Sequence, residues 1–310
     1  MNAVTYLLIY AVALSWLAPT VLSRLASDGV SPRLAVTGWL TTVATALFAW
    51  GAALVILVVG AAHSLITHTA LTFCVETLGI TEAVEFPPVV ATVLTGALLA
   101  VTAAVAVRTA HRVVVAMLKV RRANRRHTEA VRIIGRPTGD DDVVVVTAEQ
   151  PTAYCVSGGR RRAIVITTSA LALLKPPELA AVLAHERAHL RGHHHHVVAV
   201  LTALSAALPQ LPLMRGAIRS VPALLEMCAD DASIRTHGRA PLLASLVVLG
   251  TRHGLPDGAL AAAGTAVADR ALRLMQPPHQ SRWQPKAMLM SLVVVATLSA
   301  PSVALTLCVH

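Results

Sequence analysis

The amino-acid sequence predicts a mainly α-helical, multi-span membrane protein, with three membrane helices before an α+β domain and one after it. Of its 310 residues 55% are hydrophobic and only 14% are charged, a composition unlike that of soluble proteins. The apolar residues are gathered in runs long enough to cross a bilayer. Of the 26 basic residues, 24 lie between positions 108 and 286, so the charge is concentrated in one segment.

Four uncharged runs supply the predicted spans. They cover residues 4–22, 34–62, 89–107 and 287–309. An α-helix rises 1.5 Å per residue, so about 20 apolar residues cross a hydrocarbon core. We expect the first run to be retained as a span, because no Lys or Arg precedes it as in a cleaved signal peptide.

Basic residues orient these spans. Seven Lys and Arg residues follow the third run, from Arg108 to Arg126, whereas the loop 63–88 holds three acids and no Lys or Arg. Lys and Arg favour the cytoplasmic side of a membrane, so we expect the internal domain to be cytoplasmic. The predicted order is a three-helix membrane region, a cytoplasmic domain and a C-terminal transmembrane helix, at 1–107, 108–286 and 287–310.

Clustered arginine also suggests a nucleic-acid partner, because it neutralises phosphates. A basic run directly beside a membrane helix instead meets anionic lipid headgroups, at about 1 kcal/mol per basic residue. The aromatic share of 3% offers few rings for base stacking. We therefore expect the lipid bilayer as a partner and no direct contact with nucleic acid.

Short β-branched runs open the internal domain. Residues 143–147 and 163–168 predict two strands, with Ser157-Gly158-Gly159 as a turn between them. Pro176-Pro177-Glu178 then predicts the start of a helix, because proline is tolerated in the first turn and an acid is favourable there.

The predicted helix carries the sequence His185-Glu186-Arg187-Ala188-His189. His185 and His189 lie one turn apart, so both imidazoles can bind one metal ion. Glu186, on the neighbouring flank, is then placed to act as a general base on water, as in zinc hydrolases. Only about 0.02 such motifs are expected by chance in a chain of this composition. The pattern predicts a catalytic site with one Zn²⁺.

A catalytic zinc needs a third protein ligand and an open position for water. Glu226 and Asp230 lie on one face of a predicted helix, so one can bind the metal while the other holds a ligand histidine. The alternative is a solvated acidic helix face. Cys228, between them, is expected to pack, with a role as a soft zinc ligand as the alternative.

Three further features bear on the site. The uncharged stretch 197–213 is predicted to be a buried or membrane-leaning helix, because one complete crossing would separate Glu226 from the two histidines. The run His193 to His196 is expected to be a solvated interfacial cluster rather than a second metal site, because neighbours on a helix are rotated by about 100°. His237 is a candidate to polarise a substrate carbonyl.

Together these residues resemble the integral-membrane zinc peptidases of the BlaR/MecR antirepressor type and, more distantly, the HtpX-type membrane proteases. The order of spans and four sequence segments carry the resemblance: His185-Glu186-x-x-His189, Glu226-x-x-Ala-Asp230, the strand from Ile164, and Glu178-Leu-Ala-Ala-Val-Leu.

The resemblance implies a gluzincin-like fold with zinc on His185, His189 and Glu226. It favours Glu226 over Asp230 as the third ligand, leaves Asp230 beside a ligand histidine, and makes Glu186 the catalytic base. It also implies that the strand at residues 164–168 borders the cleft, where an extended peptide could add as another strand.

Full-length β-lactam sensors of this type carry a penicillin-binding domain, whereas this sequence has no Ser-x-x-Lys sensor motif. Direct antibiotic sensing is therefore not expected. The expected function is zinc-dependent endopeptidase activity at the cytoplasmic face of a bacterial plasma membrane, on a peptide or protein substrate. By resemblance, a BlaI-like repressor is a partner. The alternatives are a non-catalytic signal transducer with a structural zinc and a quality-control membrane protease.

Overall fold

The computed structural model describes residues 3–26, 30–66, 88–158, 161–250, 260–276, 287–297 and 299. The helices before the sheet are α1 (Ala3–Trp16), α2 (Ala18–Leu25), α3 (Pro32–Ile66) and α4 (Pro88–Ile134). The strands are β1 (Arg136–Pro137), β2 (Val143–Val146), β3 (Ala153–Gly158) and β4 (Arg161–Thr167). The helices after the sheet are α5 (Thr168–Leu173), α6 (Pro176–Arg191), α7 (His194–Ala207), α8 (Pro212–His237), α9 (Arg239–Gly250), α10 (Leu260–Met275) and α11 (Ala287–Thr297).

The chain forms two compact units. The first contains residues 1–116, 204–218 and 283–310, and the second contains residues 117–203 and 219–282. The His185-Glu186-x-x-His189 motif therefore lies in the second unit.

Two helices are long and apolar enough to cross a membrane. They are Pro32–His63 within α3 and Thr92–Ile134 within α4, and they contain the second predicted run and all but the first three residues of the third. Helix α4 continues beyond its apolar part to Ile134, so the basic residues from Arg108 to Arg126 lie on the same helix. These two helices indicate association with a membrane.

The first predicted span is not one straight helix. Val4–Trp16 and Ala18–Leu25 are bent by 45° at Leu17. Pro19 accounts for the break, because it has no backbone N–H and disfavours helical geometry in the residue before it. The described residues thus contain two candidate spans, or three if the bent pair counts as one.

The fourth predicted span is described only in part. Helix α11 ends at Thr297 in the described residues, and 11 residues are fewer than a bilayer crossing requires. The remainder of the run, including Pro301, lies outside the described residues, as does most of the acidic loop 63–88.

Small residues bring the helices of the first unit together. Helices α1 and α3 meet at Ala11, Ala49 and Ala53, all fully buried. Gly38 of α3 faces Met290 of α11, and a Cβ on Gly38 would lie 2.8 Å from the Met290 sulfur. A side chain at position 38 would therefore displace the flexible Met290 side chain, and glycine lets the two helices pack without that shift.

The second unit is built on a four-stranded sheet with the order β1-β2-β4-β3. Strand β4 is central: Ile164 pairs with Val143 of the parallel strand β2 and with Cys155 of the antiparallel strand β3. The sequence predicted β2 and β4 but not β3. Successive residues of β4 are buried on both faces of the sheet, because α6 covers one face and Val131 of α4 packs on the other.

Helix α6 begins at Pro176, as predicted, and its first turn is capped. The Lys175 backbone N–H donates to the Glu178 carboxylate at 2.9 Å. The start of the helix fixes which residues face the sheet, and Leu190 joins Ile164 and Ile166 in a buried cluster.

The uncharged stretch 197–213 is divided between two helices. Helix α7 has 14 residues and ends at Ala207, and α8 begins at Pro212. At 1.5 Å per residue α7 is about 21 Å long, too short to cross a bilayer. Helix α8 is held to α6 by a buried hydrogen bond of 2.7 Å from the Ser233 hydroxyl to the Ala181 carbonyl.

Candidate metal centre

His185 and His189 project from consecutive turns of α6 and are both buried. Their Nε2 atoms lie 3.1 Å apart. Two ligands bound at 2.0–2.1 Å to one tetrahedral zinc ion would be separated by about 3.3 Å. The two imidazoles are therefore arranged to hold a single ion through Nε2.

Glu226 of α8 completes this group. Its Oε2 lies 3.4 Å from Nε2 of His185, and its Oε1 lies 3.3 Å from Nε2 of His189. Both distances match the spacing of ligands around one tetrahedral ion. Two imidazole nitrogens and a carboxylate form a donor set that suits Zn²⁺, so the residues present fit this metal.

Asp230 lies one turn beyond Glu226 and is fully buried. Its Oδ1 is 3.0 Å from Nδ1 of His185, the ring nitrogen that does not face Glu226. Arg270 of α10 donates to both Asp230 oxygens, at 2.6 and 2.9 Å, and lies 3.1 Å from Glu226 Oε2. One guanidinium thus holds both carboxylates. The sequence analysis did not find Arg270, because no motif or spacing connects it to the histidines.

The charges of these groups are strongly coupled. Burial alone would lower the pKa of His185, but its contacts with Asp230 and Glu226 outweigh burial and raise this pKa to about 9. Burial acts in the opposite direction on the Glu226 carboxyl, yet the two histidines hold its pKa well below the usual range. The pKa of Asp230 is also lowered, because His185 and Arg270 outweigh the effect of burial.

Glu186 is buried beside the same histidines, with 8% of its surface exposed. Burial raises the pKa of its carboxyl group, and the charges of His185 and His189 offset part of that rise. The Cys155 thiol of β3 hydrogen-bonds this carboxylate, and burial followed by the charge of Glu186 raises the thiol pKa to about 12. Cys155 is therefore a protonated thiol that donates to Glu186. The sequence analysis did not find Cys155, because strand β3 was not predicted.

His189 has its own partner in the histidine run. Its Nδ1 lies 2.9 Å from Nδ1 of His194, at the start of α7. Burial, followed by the charge of His189, lowers the pKa of His194 to about 4, so its imidazole is neutral at pH 7. When Nε2 of His189 binds a metal, its Nδ1–H can donate to His194. This residue is half-buried in the site, whereas the sequence analysis placed it in a solvated cluster.

Two cavities border these residues. One, of about 540 Å³, is lined by His185, Glu186 and Arg270, and the other, of about 430 Å³, is lined by His194 and His195. Cys155, His189 and Glu226 line both. The metal-ligating group therefore lies between two spaces that are open to solvent.

The expected position of the cleft-bordering strand needs correction. Residues 164–168 were expected to offer a free edge, but β4 is hydrogen-bonded on both sides. In the described residues β3 is one of the two edge strands of the sheet, the other being β1, and its residues 153–155 line the larger cavity. A strand with one unpaired edge can accept a peptide, and a central strand cannot.

Two other predicted residues lie away from the metal-ligating group. His237 is exposed at the last position of α8, about 16 Å along the helix axis from Glu226. The structure does not bring it to the histidines, and neither cavity includes it. Cys228 is buried within α8, in agreement with a packing role.

A longer sequence pattern overlaps the His185-Glu186-x-x-His189 motif. His185, Glu186, His189, Gly192 and His195 also follow the longer H-E-x-x-H-x-x-G-x-x-H spacing, in which the last histidine is a zinc ligand. In the structure His195 groups with His193 and His196, whereas Glu226 faces His185 and His189. The geometry therefore selects the carboxylate from α8 as the third donor.

A buried pair of histidines one turn apart, a third carboxylate donor and an adjacent buried glutamate form a group that could hold a metal ion, and this combination is typical of zinc hydrolases. Residues 117–248, which are 132 of the 310 residues, match the model of peptidase family M48. The match includes His185, Glu186, His189, Glu226 and Asp230 and ends before Arg270. The domain supports a metallopeptidase function. No curated protein and no solved structure matches the chain.

Proposed function

We propose that this chain is a zinc-dependent membrane endopeptidase that hydrolyses peptide bonds at the cytoplasmic face. The observation that supports this proposal most directly is that side-chain nitrogen and oxygen atoms of His185, His189 and Glu226 lie within 3.4 Å of one another. A structural zinc site is closed by four protein ligands, whereas a catalytic site has three and an open position. Three donors beside a cavity of about 540 Å³ favour catalysis over the alternative of a structural zinc in a signal transducer.

Each residue then has a distinct role. Zinc, when bound, acts as a Lewis acid that polarises the substrate carbonyl and lowers the pKa of water. Glu186 takes a proton from the attacking water and gives it to the leaving amide nitrogen as the C–N bond breaks. Burial raises the pKa of the Glu186 carboxyl group, which makes its carboxylate a stronger base toward the proton of the attacking water. Asp230 and His194 orient the two ligand histidines.

The substrate is proposed to bind as an extended peptide along the free edge of β3. Main-chain hydrogen bonds to that edge would give affinity without strict sequence preference. The cavities on either side of Cys155, His189 and Glu226 would take side chains flanking the scissile bond.

The catalytic assignment is tested by a Glu186→Gln variant of the full chain in detergent. Glutamine retains the shape but cannot accept the proton, so zinc content should be unchanged and peptide cleavage should fall by about 10²- to 10⁴-fold. Glu149→Gln, an exposed acid in the same domain, serves as the matched control. Undiminished peptide cleavage by the Glu186→Gln variant would contradict the catalytic role of Glu186.

The physiological substrate is proposed from the BlaR/MecR resemblance to be a BlaI-like cytoplasmic repressor. The rival substrate class is unfolded membrane protein, as for a quality-control protease. Comparative proteomics of cells with wild type and with Glu186→Gln separates them. Accumulation of one soluble repressor supports the first, and a broad accumulation of membrane proteins supports the second.

Cytoplasmic placement of the domain is proposed because Lys and Arg, as in the basic run on α4, favour that side of a membrane. It is tested with Asp141→Cys, at an exposed position between β1 and β2, in a chain whose native Cys74 and Cys308 are replaced by serine. A membrane-impermeant maleimide should label this cysteine only after cells are permeabilised. Labelling in intact cells would place the domain outside.

A further inference from the structure

Three of the four consecutive histidines form a group of their own. His193, His195 and His196 each offer a ring nitrogen, and these nitrogens all lie within 4.8 Å of one another. The ring centroids of His195 and His196 are 4.1 Å apart, and that of His193 is 5.9 Å from His196. His194 does not join them, because it contacts His189. We name His193, His195 and His196 the histidine cluster.

The backbone explains how adjacent residues converge. On a regular helix neighbouring side chains diverge by about 100°, which argued against a shared ion. His193, however, precedes α7 and has a φ of 52°, in the left-handed region that non-glycine residues rarely adopt. This turn between Gly192 and α7 places the His193 ring beside that of His196, three residues along. Such strain is retained where the surrounding structure or a function requires it.

The chemistry of the cluster suits a metal ion. Both ring nitrogens of His195 are buried and make no hydrogen bond to the described part of the chain. A buried polar atom without a partner is unfavourable, and a bound ion would satisfy one of these two nitrogens. Burial and the neighbouring histidines lower the pKa values of His195 and His196, so both rings are neutral at pH 7 and can act as ligands.

We propose that His193, His195 and His196 form a second metal site that binds a zinc-like divalent transition-metal ion in addition to the ion at His185, His189 and Glu226. Three imidazoles without a carboxylate suit Zn²⁺, Ni²⁺ or Cu²⁺ and do not suit Ca²⁺ or Mg²⁺.

The surroundings of the cluster make the bound ion exchangeable. His193 and His196 are exposed, and three protein ligands leave a fourth position for water. The positive charges of Arg162 and Arg121 act on His196 and weaken the binding of a dication. Binding at the cluster is therefore weaker than at the buried first site.

The test counts zinc ions on the full chain in detergent. Protein stripped with a chelator is dialysed against buffered free Zn²⁺, and bound metal is measured by mass spectrometry. Wild type should bind two ions. A triple variant of the cluster, His193→Gln, His195→Gln and His196→Gln, should bind one ion. A double variant of the first site, His185→Gln and His189→Gln, should also bind one ion. The exposed His111→Gln should bind two and is the matched control.

The outcomes separate this inference from the proposed function. If wild type binds one ion, and the His185→Gln, His189→Gln double variant binds none, the second site is overturned and the peptidase proposal is unaffected. If wild type binds one ion, and this ion is retained in the His185→Gln, His189→Gln variant but lost in the variant with all three cluster histidines replaced, the result supports the histidine cluster and contradicts the first site. Since the wild-type count needs no variant, misfolding of a variant does not affect it. In the His185→Gln, His189→Gln chain, Co²⁺ should give d–d absorption bands that His195→Gln abolishes.

Discussion

Asp230 Oδ1 lies 3.0 Å from Nδ1 of His185, on the opposite side of the imidazole ring from Glu226. The carboxylate is itself fixed by two hydrogen bonds from Arg270. Asp230 is therefore placed to accept a proton from Nδ1 of His185 while Nε2, once deprotonated, binds a metal. The orientation of the first ligand depends on a chain of contacts from α10 through α8 to α6.

Replacing Asp230 by Asn should weaken zinc binding by about 10- to 100-fold, because the amide carries no charge to stabilise the metal-bound imidazole. Competition with a chromophoric chelator measures the affinity. Asp231→Asn is the control, since Asp231 is the adjacent acid and pairs with Arg273 at 2.7 Å instead. Equal losses in the two variants would mean that the effect is not specific to His185.

Zinc binding should release a proton from His185. Its pKa in the metal-free protein is about 9, so the ring is almost fully protonated at pH 7 and must lose that proton to bind zinc. At the ordinary pKa of about 6.5 only about a quarter of a proton would be released. The apparent affinity should accordingly rise with pH up to about 9.

Calorimetric titration in two buffers of different ionisation enthalpy measures the number of protons released. Asp230→Asn removes a contact that raises the His185 pKa, so it should release fewer protons at pH 7 than wild type. An unchanged proton count in this variant would contradict the assigned origin of the shift.

Local spacing paired His185 with His189, and Glu226 with Asp230, since residues four apart on a helix share a face. The family resemblance then joined the two pairs. The mainly helical character and the candidate membrane helices were also accessible, because apolar runs and the start of α6 are local features. The Pro19 bend in the first span could have been expected, because proline disfavours helical geometry in the residue before it.

Tertiary packing determines what the sequence did not reveal. Arg270 and Cys155 reach the site from α10 and β3, which are far from the histidines in the chain. Strand β3 was missed because its residues 153–158 combine small, polar and aromatic types without a clear alternation. The convergence of the histidine cluster depends on one left-handed residue, His193, and no sequence periodicity predicts it.

His194→Leu should weaken zinc binding at the first site by about tenfold, because it removes the acceptor for His189 Nδ1–H. His194→Asn should recover part of the affinity, since its amide oxygen can accept the same hydrogen bond. The affinity is measured by chelator competition, with His111→Leu as the control on an exposed helix surface. Identical behaviour of the Leu and Asn variants would contradict a hydrogen-bonding role.

Ser233→Ala should lower the free energy of unfolding by about 1 kcal/mol, because it removes a buried hydrogen bond that joins α8 to α6. Thermal unfolding of the detergent-solubilised protein measures the effect as a lower midpoint. Ser245→Ala is the matched control: this serine is also buried, but its hydroxyl donates at 2.8 Å to Leu242 of its own helix. If the control destabilises the protein more than Ser233→Ala, the bond between the helices is not a major restraint.

Cys155→Ala should shift the acidic limb of the kcat/KM profile to higher pH. The thiol donates a hydrogen bond to the Glu186 carboxylate, and this bond lowers the Glu186 pKa against the rise caused by burial. Without the donor the charged carboxylate is less favoured, so its pKa rises and the base is lost at a higher pH than in wild type. Cys155→Ser keeps a donor and should retain a limb close to that of wild type. An acidic limb at the same pH in Cys155→Ala would show that the thiol does not act on Glu186 in the working enzyme.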